Sequence, residues 1–363
     1  MHRFLICLIP LLVTVVSCMR DDDEPPIRDI KSFSRLYVST SDYQAGASTN
    51  FENVWVVDPV DEDQLPSEST FKKYVSAAKG GKTIHFSPLS DGLIFQSSMN
   101  TPGTMDTTIN VLSVDIRGTI GSRAKLSNRK LDNVRGMYYT VVNSGTNTSN
   151  AFLLALNKSD TIPDAHLYAF LRPTSSGFYS KPRFQTTLNY VPWGITGHEN
   201  DLFIVKTGDQ GGVVVYKNFL PALNDRVDSV LNVNPTFTLT VDGSRNLRGI
   251  SYSPSKDILV LTDYTVVQGT TFEGRVLIFE NFSSHTSTQT LTPTRVISGN
   301  ATMLKQPMDI AIDPREDGKY LYVADIETKR VLRFLISDQG NVAPTGVLNF
   351  NNRTPMSLSL DAR

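Results

Sequence analysis

Short apolar runs, bounded by Gly, Pro, Asn, Asp or Ser, recur from residue 35 to the end of the chain. Many are rich in β-branched and aromatic residues, such as Val54-Trp55-Val56-Val57 and Tyr320-Leu321-Tyr322-Val323, and long stretches with helical periodicity are absent. This pattern predicts short strands joined by turns. The runs come in sets of four. The clearest set occupies residues 306–314, 318–325, 330–334 and 341–349. Its first strand opens on small or polar residues, its second ends in Asp325, its third alternates, and its fourth lies outermost.

Five further sets share this layout. They are 247–254, 257–263, 274–279 and 293–298; then 192–196, 201–205, 212–216 and 236–240; then 134–139, 151–156, 166–170 and 183–188; then 82–88, 92–96, 109–114 and 122–126. The earliest, 35–39, 54–58 and 71–76, lacks a first strand, and 356–361 has a first-strand pattern without a set of its own. First-strand starts at 82, 134, 192, 248, 308 and 356 recur about every 55 residues. Four strands per repeat at this spacing predict an all-β, six-bladed β-propeller of four-stranded antiparallel blades over residues 33–363. Residues 356–361 would complete the first blade, so that the N- and C-terminal strands pair and close the ring, leaving no exposed sheet edge there. A seventh blade would require strands hidden in a long loop.

The amino terminus reads differently. Met1-His2-Arg3 precedes an apolar run over 4–16, too short to span a bilayer as a mature helix. Val15-Val16-Ser17-Cys18 resembles the bacterial lipobox, which implies a signal peptide over 1–17 and lipidation of Cys18. The other cysteine, Cys7, lies within the leader, so the mature chain has no pair for a disulfide. The acidic, proline-containing stretch after Cys18 predicts a disordered tether over 18–32. It resembles the acidic export signal of surface lipoproteins in Bacteroidota. The expected location is the outer membrane, at the cell surface or the periplasmic face, with the lipid as membrane partner. A formal net charge of −1 argues against a nucleic-acid partner.

Residues 322–334 resemble an NHL repeat, with Asp325 closing the second strand and Arg330 opening the third. Asp263 and Arg275 match more loosely. The resemblance implies the six-bladed propellers with NHL-like, lactonase-like and TolB-like members, and a charge-assisted Asp–Arg pair across the turn. Arg135, Trp193, Arg248, Met308 and Asp309 lead first strands and are expected at one mouth of the central channel, where two arginines and a tryptophan suit an anionic or sugar-like ligand. The bland alternative pairs Arg135 and Arg248 with Asp263, Asp325 or Asp309 as a plug. Lactonase-like propellers hold a divalent cation, for which Asp42, Asp209, Asp263 and Asp325 are the candidate oxygen ligands, and calcium the fitting ion. Beyond the leader, the four scattered histidines, His85, His166, His198 and His285, show no zinc spacing, and no nucleophile elbow or phosphate loop occurs. The reading is an envelope-anchored binding module without a cofactor, for a protein, peptide or glycan at the channel face. A calcium-dependent lactonase-like hydrolase is the alternative.

Overall fold

The computed structural model describes residues 33–44, 46, 51–89, 92–99, 106–143, 149–175, 179–225, 229–230 and 233–363. The expected leader, Cys18 and the tether over 18–32 lie outside the described residues. Blade 1 begins with β1 (Ser34–Thr40), β2 (Val54–Val57) and β3 (Lys72–Tyr74). Blade 2 holds β4 (Gly81–Ser87), β5 (Leu93–Ser98), β6 (Thr108–Val114) and β7 (Ile120–Ser127). Blade 3 holds β8 (Val134–Asn143), β9 (Ser149–Lys158), β10 (Ala165–Leu171) and β11 (Phe184–Leu188). Blade 4 holds β12 (Pro192–His198), β13 (Asp201–Lys206), β14 (Gly212–Tyr216) and, after the short β15 (Ser229–Val230), β16 (Phe237–Val241). Blade 5 holds β17 (Ile250–Ser253), β18 (Ile258–Val267), β19 (Thr271–Glu280) and, after β20 (Gln289–Leu291), β21 (Arg295–Ser298). Blade 6 holds β22 (Pro307–Ile312), β23 (Tyr320–Asp325), β24 (Arg330–Leu335) and β25 (Gly346–Asn349). The last strand, β26 (Pro355–Ala362), returns as the inner strand of blade 1.

The fold is the expected six-bladed propeller, closed by its two chain ends. β26 pairs antiparallel with β1 from Ser34↔Ala362 to Ser39↔Ser357, and Phe33 and Arg363 extend the ladder by exchanging backbone hydrogen bonds. Two details go beyond the sequence reading. β15 and β20 add in parallel to the outer strands of blades 3 and 4, covering edges that would otherwise be open. β18 and β19 also continue past the expected turn at Asp263, through four more residue pairs from Tyr264↔Gly274 to Val267↔Thr271.

The apolar runs are continuous because the middle strands are covered on both faces. Six hydrophobic clusters fill the spaces between successive blades around the ring. In β18, Leu259 and Leu261 pack toward blade 4, while Ile258 and Val260 pack toward blade 6. In β2, Trp55 and Val57 face blade 6, and Val54 and Val56 face blade 2. Each fully buried side chain of this size contributes roughly 1.5–3 kcal/mol relative to exposure.

The inner strands β4, β8, β12, β17, β22 and β26 touch one another in a closed circle around the channel. They approach so closely that a side chain has no room at three positions. A Cβ on Gly136 would lie 2.7 Å from the carbonyl oxygen of Trp193, one on Gly194 2.7 Å from that of Arg248, and one on Gly249 2.7 Å from the Cα of Asp309. An inner strand is a sheet edge, so some of its N–H groups point at the neighbouring blade. Channel side chains accept them. Ser357 Oγ takes Ile84 N–H at 3.1 Å, Ser359 Oγ takes Phe86 N–H at 3.0 Å, and His85 Nε2 takes Tyr139 N–H at 3.1 Å. Ser251 Oγ takes Ile312 N–H at 3.2 Å, and Asp309 Oδ2 takes Leu358 N–H at 3.0 Å. Satisfying these donors stitches blade to blade where no ladder can form.

Candidate functional site

The six inner strands enclose a cavity of about 240 Å³. At the mouth where these strands begin, Lys82, Arg135 and Trp193 line the cavity from three successive blades, and Arg248, on the segment entering β17 of the next blade, stacks on Trp193. The Arg135 guanidinium carbon lies 4.4 Å from the Trp193 ring centroid, and that of Arg248 lies 3.9 Å from it. The indole thus holds both guanidinium groups by its π face, which steadies two like charges close together. Arg248 Nη1 also donates to Thr207 Oγ1, and its Nη2 donates to the Tyr264 hydroxyl at 3.0 Å. Tyr264 stands on the extended part of β18, so the unexpected length of that hairpin positions Arg248.

Charge at this mouth is under-compensated. Arg135 meets Asp160 only at 3.9 Å, and the Asp160 side chain is 81% exposed, where water screens the pair. Burial, then the nearby charge of Arg248, pull the Arg135 guanidinium down to about 10, against Asp160. Arg248 is likewise lowered, chiefly by burial. Lys82 is 8% exposed and donates to Asn133 Oδ1. Two buried donors, Arg135 Nε and Arg248 Nε, have no hydrogen-bond partner among the described residues. Buried donors are normally paired, so two orphaned Nε–H groups on cations that stack on one indole mark a place that suits acceptor oxygens.

The bland alternative for the arginines fails in its proposed partners. Neither Arg135 nor Arg248 lies at ion-pair distance from Asp263, Asp325 or Asp309; each stacks on Trp193 instead. Asp309, expected among the ligand-binding residues, faces the channel but has other partners. It accepts from the Ser357 hydroxyl and from the N–H groups of Leu358 and Ile310, and burial pushes its carboxyl up to about 6. Met308 is buried beside it in the channel lining.

The four acids considered for calcium are not brought together, and among the described residues no three His, Cys, Asp or Glu side chains converge. Three of them serve as latches. Asp42 accepts Thr354 N–H at 2.6 Å. Asp263, fully buried, accepts the N–H groups of Arg245 and Asn246 and pairs with Arg275 at 2.6 Å. Asp325, also fully buried, accepts the N–H groups of Lys305 and Thr328 at 2.8 and 2.9 Å. Asp209 is exposed in the turn between β13 and β14. The donor set therefore does not fit a calcium centre: the buried carboxylates are already saturated by backbone N–H groups, and they belong to different blades. The expected Asp325–Arg330 pair is also corrected. These residues face each other across the ladder, yet the carboxylate is occupied by Lys305 and Thr328.

Sequence reasoning missed Lys82 and Asn133. Lys82 was legible only as the start of a first strand, and its neighbourhood depends on the loop into β8 carrying Asn133 across from the next blade.

No protein-family model and no curated protein matches the chain. Among solved structures, it is similar to a Bacteroides fragilis protein described as a "putative 6-phosphogluconolactonase", at 14% identity and a TM-score of 0.50, covering 91% of this chain and 98% of that one. A Bacteroides uniformis protein with the same description is similar at 12% identity and a TM-score of 0.49, with 91% and 99% covered. A functionally unknown protein from Desulfotomaculum acetoxidans follows at 11% identity and a TM-score of 0.48, again with 91% and 99% covered. At 14% identity, the first likeness speaks to the fold and not to the chemistry.

Proposed function

We propose that this protein is an envelope-anchored propeller lipoprotein that binds an anionic ligand at the channel mouth formed by Lys82, Arg135, Trp193 and Arg248. The observation that carries the reading is the under-compensated charge there, with the buried Nε atoms of both arginines lacking hydrogen-bond partners among the described residues. Guanidinium groups held at a fixed separation suit the oxygens of a phosphate or carboxylate, and a small glycan or peptide bearing one fits the class. The anchor is read from Val15-Val16-Ser17-Cys18 and the acidic stretch after it, which support a lipidated Cys18 and an outer-membrane address. Kinship with NHL-repeat propellers is part of the same reading, supported by the Asp263–Arg275 pair across β18 and β19.

Calorimetric titration tests the site. Glucose 6-phosphate or glucuronate is expected to bind and glucose not to, with affinity falling as salt is raised. Arg248→Gln is expected to weaken binding about 10- to 100-fold, the cost of a lost charge-assisted hydrogen bond. Equal binding of glucose, or an unchanged affinity in the variant, sinks the reading. The calcium-dependent lactonase alternative finds no donor set among the described residues. Calcium-stimulated hydrolysis of 6-phosphogluconolactone, abolished by chelation, would restore it. For the anchor, palmitate labelling is expected in the wild type and absent in Cys18→Ala; labelling that survives the substitution removes the lipoprotein assignment.

A further inference from the structure

One cation of this mouth is set differently from the two arginines. Lys82 stands near the start of β4 with its side chain in the channel lining, 8% exposed. Its ammonium donates to Asn133 Oδ1, a neutral acceptor. Asn133 is itself held in place, since its backbone N–H goes to Asn157 Oδ1 at 2.8 Å and its Nδ2 to Asp160 Oδ1 at 3.0 Å. Asp132, the other acid nearby, accepts from Asn157 Nδ2 at 2.7 Å and from the Ser159 hydroxyl at 2.6 Å. Among the described residues, no carboxylate lies within ion-pair distance of Lys82. A lysine buried beside an arginine, with a carboxamide rather than a carboxylate for company, is an arrangement that favours the neutral amine.

We propose that Lys82 is a nucleophilic amine that captures a carbonyl compound bearing a phosphate or carboxylate, with Arg135 and Arg248 holding the anion while the amine closes an imine. This rests on the anion-binding reading. Burial, then the charge of Arg135, bring the Lys82 ammonium down to about 7, opposed by Asp160 and Asp132. A large share of the side chain therefore offers its lone pair near neutrality, whereas an ordinary lysine titrates near 10.4 and offers almost none. In the step, the amine nitrogen adds to the carbonyl carbon, the C=O π pair moves to oxygen, and that oxygen takes a proton to give the carbinolamine. The C–O bond then breaks, oxygen leaves as water with the second amine proton, and the C=N bond remains. One water is released and nothing is oxidised or reduced. Asn133 Oδ1 positions the amine but takes no part in the bond changes.

Pyridoxal 5′-phosphate is the probe, because it joins an aldehyde to a phosphate. The whole chain is incubated with it at several pH values, trapped with borohydride, and mapped by peptide mass spectrometry. The expected result is one dominant adduct, on Lys82, forming with an apparent midpoint near pH 7 and suppressed by excess glucose 6-phosphate. Lys82→Met and Lys82→Arg should both lose the adduct, since neither side chain offers a free amine. Adducts scattered over exposed lysines, with Lys82 unmodified although glucose 6-phosphate binds, would overturn the covalent proposal and leave the binding reading standing. Labelling of Lys82 that glucose 6-phosphate neither binds near nor suppresses would instead overturn the anionic site itself.

Discussion

Asp309 and His85 both accept a backbone N–H from the next blade, and they carry opposite pH signatures. Burial raises the Asp309 carboxyl to about 6 from an ordinary value near 4, so its stabilising neutral form is fully present below the ordinary range and is lost as pH rises through 6. Burial lowers His85 to about 4, and its Nε2 must be unprotonated to accept from Tyr139. Its contribution is present above about 6.5 and is lost as pH falls through 4. The two slopes oppose each other between pH 4 and 6. Asp309→Asn keeps an acceptor for Leu358 N–H and removes the titration. Its melting temperature should then climb from pH 4 to 6.5, gaining about 2–4 °C on the wild type over that span. Scanning calorimetry checks this; parallel profiles for the two proteins would contradict it. At this scale the sequence was a poor guide. Asp309 was visible as a channel residue, but its partner Ser357 lies on the strand that closes the ring, so its structural role could not be read locally.

At the scale of the element, one latch recurs in five blades with changing chemistry. A residue at or just past the end of the second strand, or in blade 5 within it because β18 runs on, accepts a backbone N–H from the loop that enters the inner strand. Asp42, Ser98, Asn157, Asp263 and Asp325 each do this, toward Thr354, Lys79, Asn133, Asn246 and Lys305 respectively. The Asp copies were legible as a recurrence and suggested a metal or an Asp–Arg staple. Ser98 and Asn157 were not, because what repeats is an acceptor oxygen in a given place rather than a residue type. Asp325→Ala strands the N–H groups of Lys305 and Thr328 in a fully buried spot, at about 1–3 kcal/mol each. Chemical denaturation should register a loss of that order. An unchanged midpoint would show that the latch does not stabilise the blade.

For the whole molecule, the fold was readable because each blade is covered on both faces, which writes continuous apolar runs into the chain at a steady spacing. Pairing of β1 with β26 was readable for the same reason: an orphan inner-strand pattern at the end answered a missing one at the start. The site was only half readable. Arg135, Trp193 and Arg248 could be placed at one mouth from the repeat alone. Their stacking, the hold of Tyr264 on Arg248, and the presence of Lys82 follow from how successive blades are set against each other, which no single repeat encodes. Closure of the ring makes the cationic mouth a fixed feature rather than a cluster of mobile side chains, and preorganised charge binds with less ordering cost. The most direct test is anomalous diffraction from crystals grown with selenate, compared with crystals of the Arg248→Gln variant. A selenium peak is expected at the Arg135–Trp193–Arg248 mouth and should disappear in the variant. A mouth without selenium, or a peak there that persists in Arg248→Gln, would contradict the anionic site.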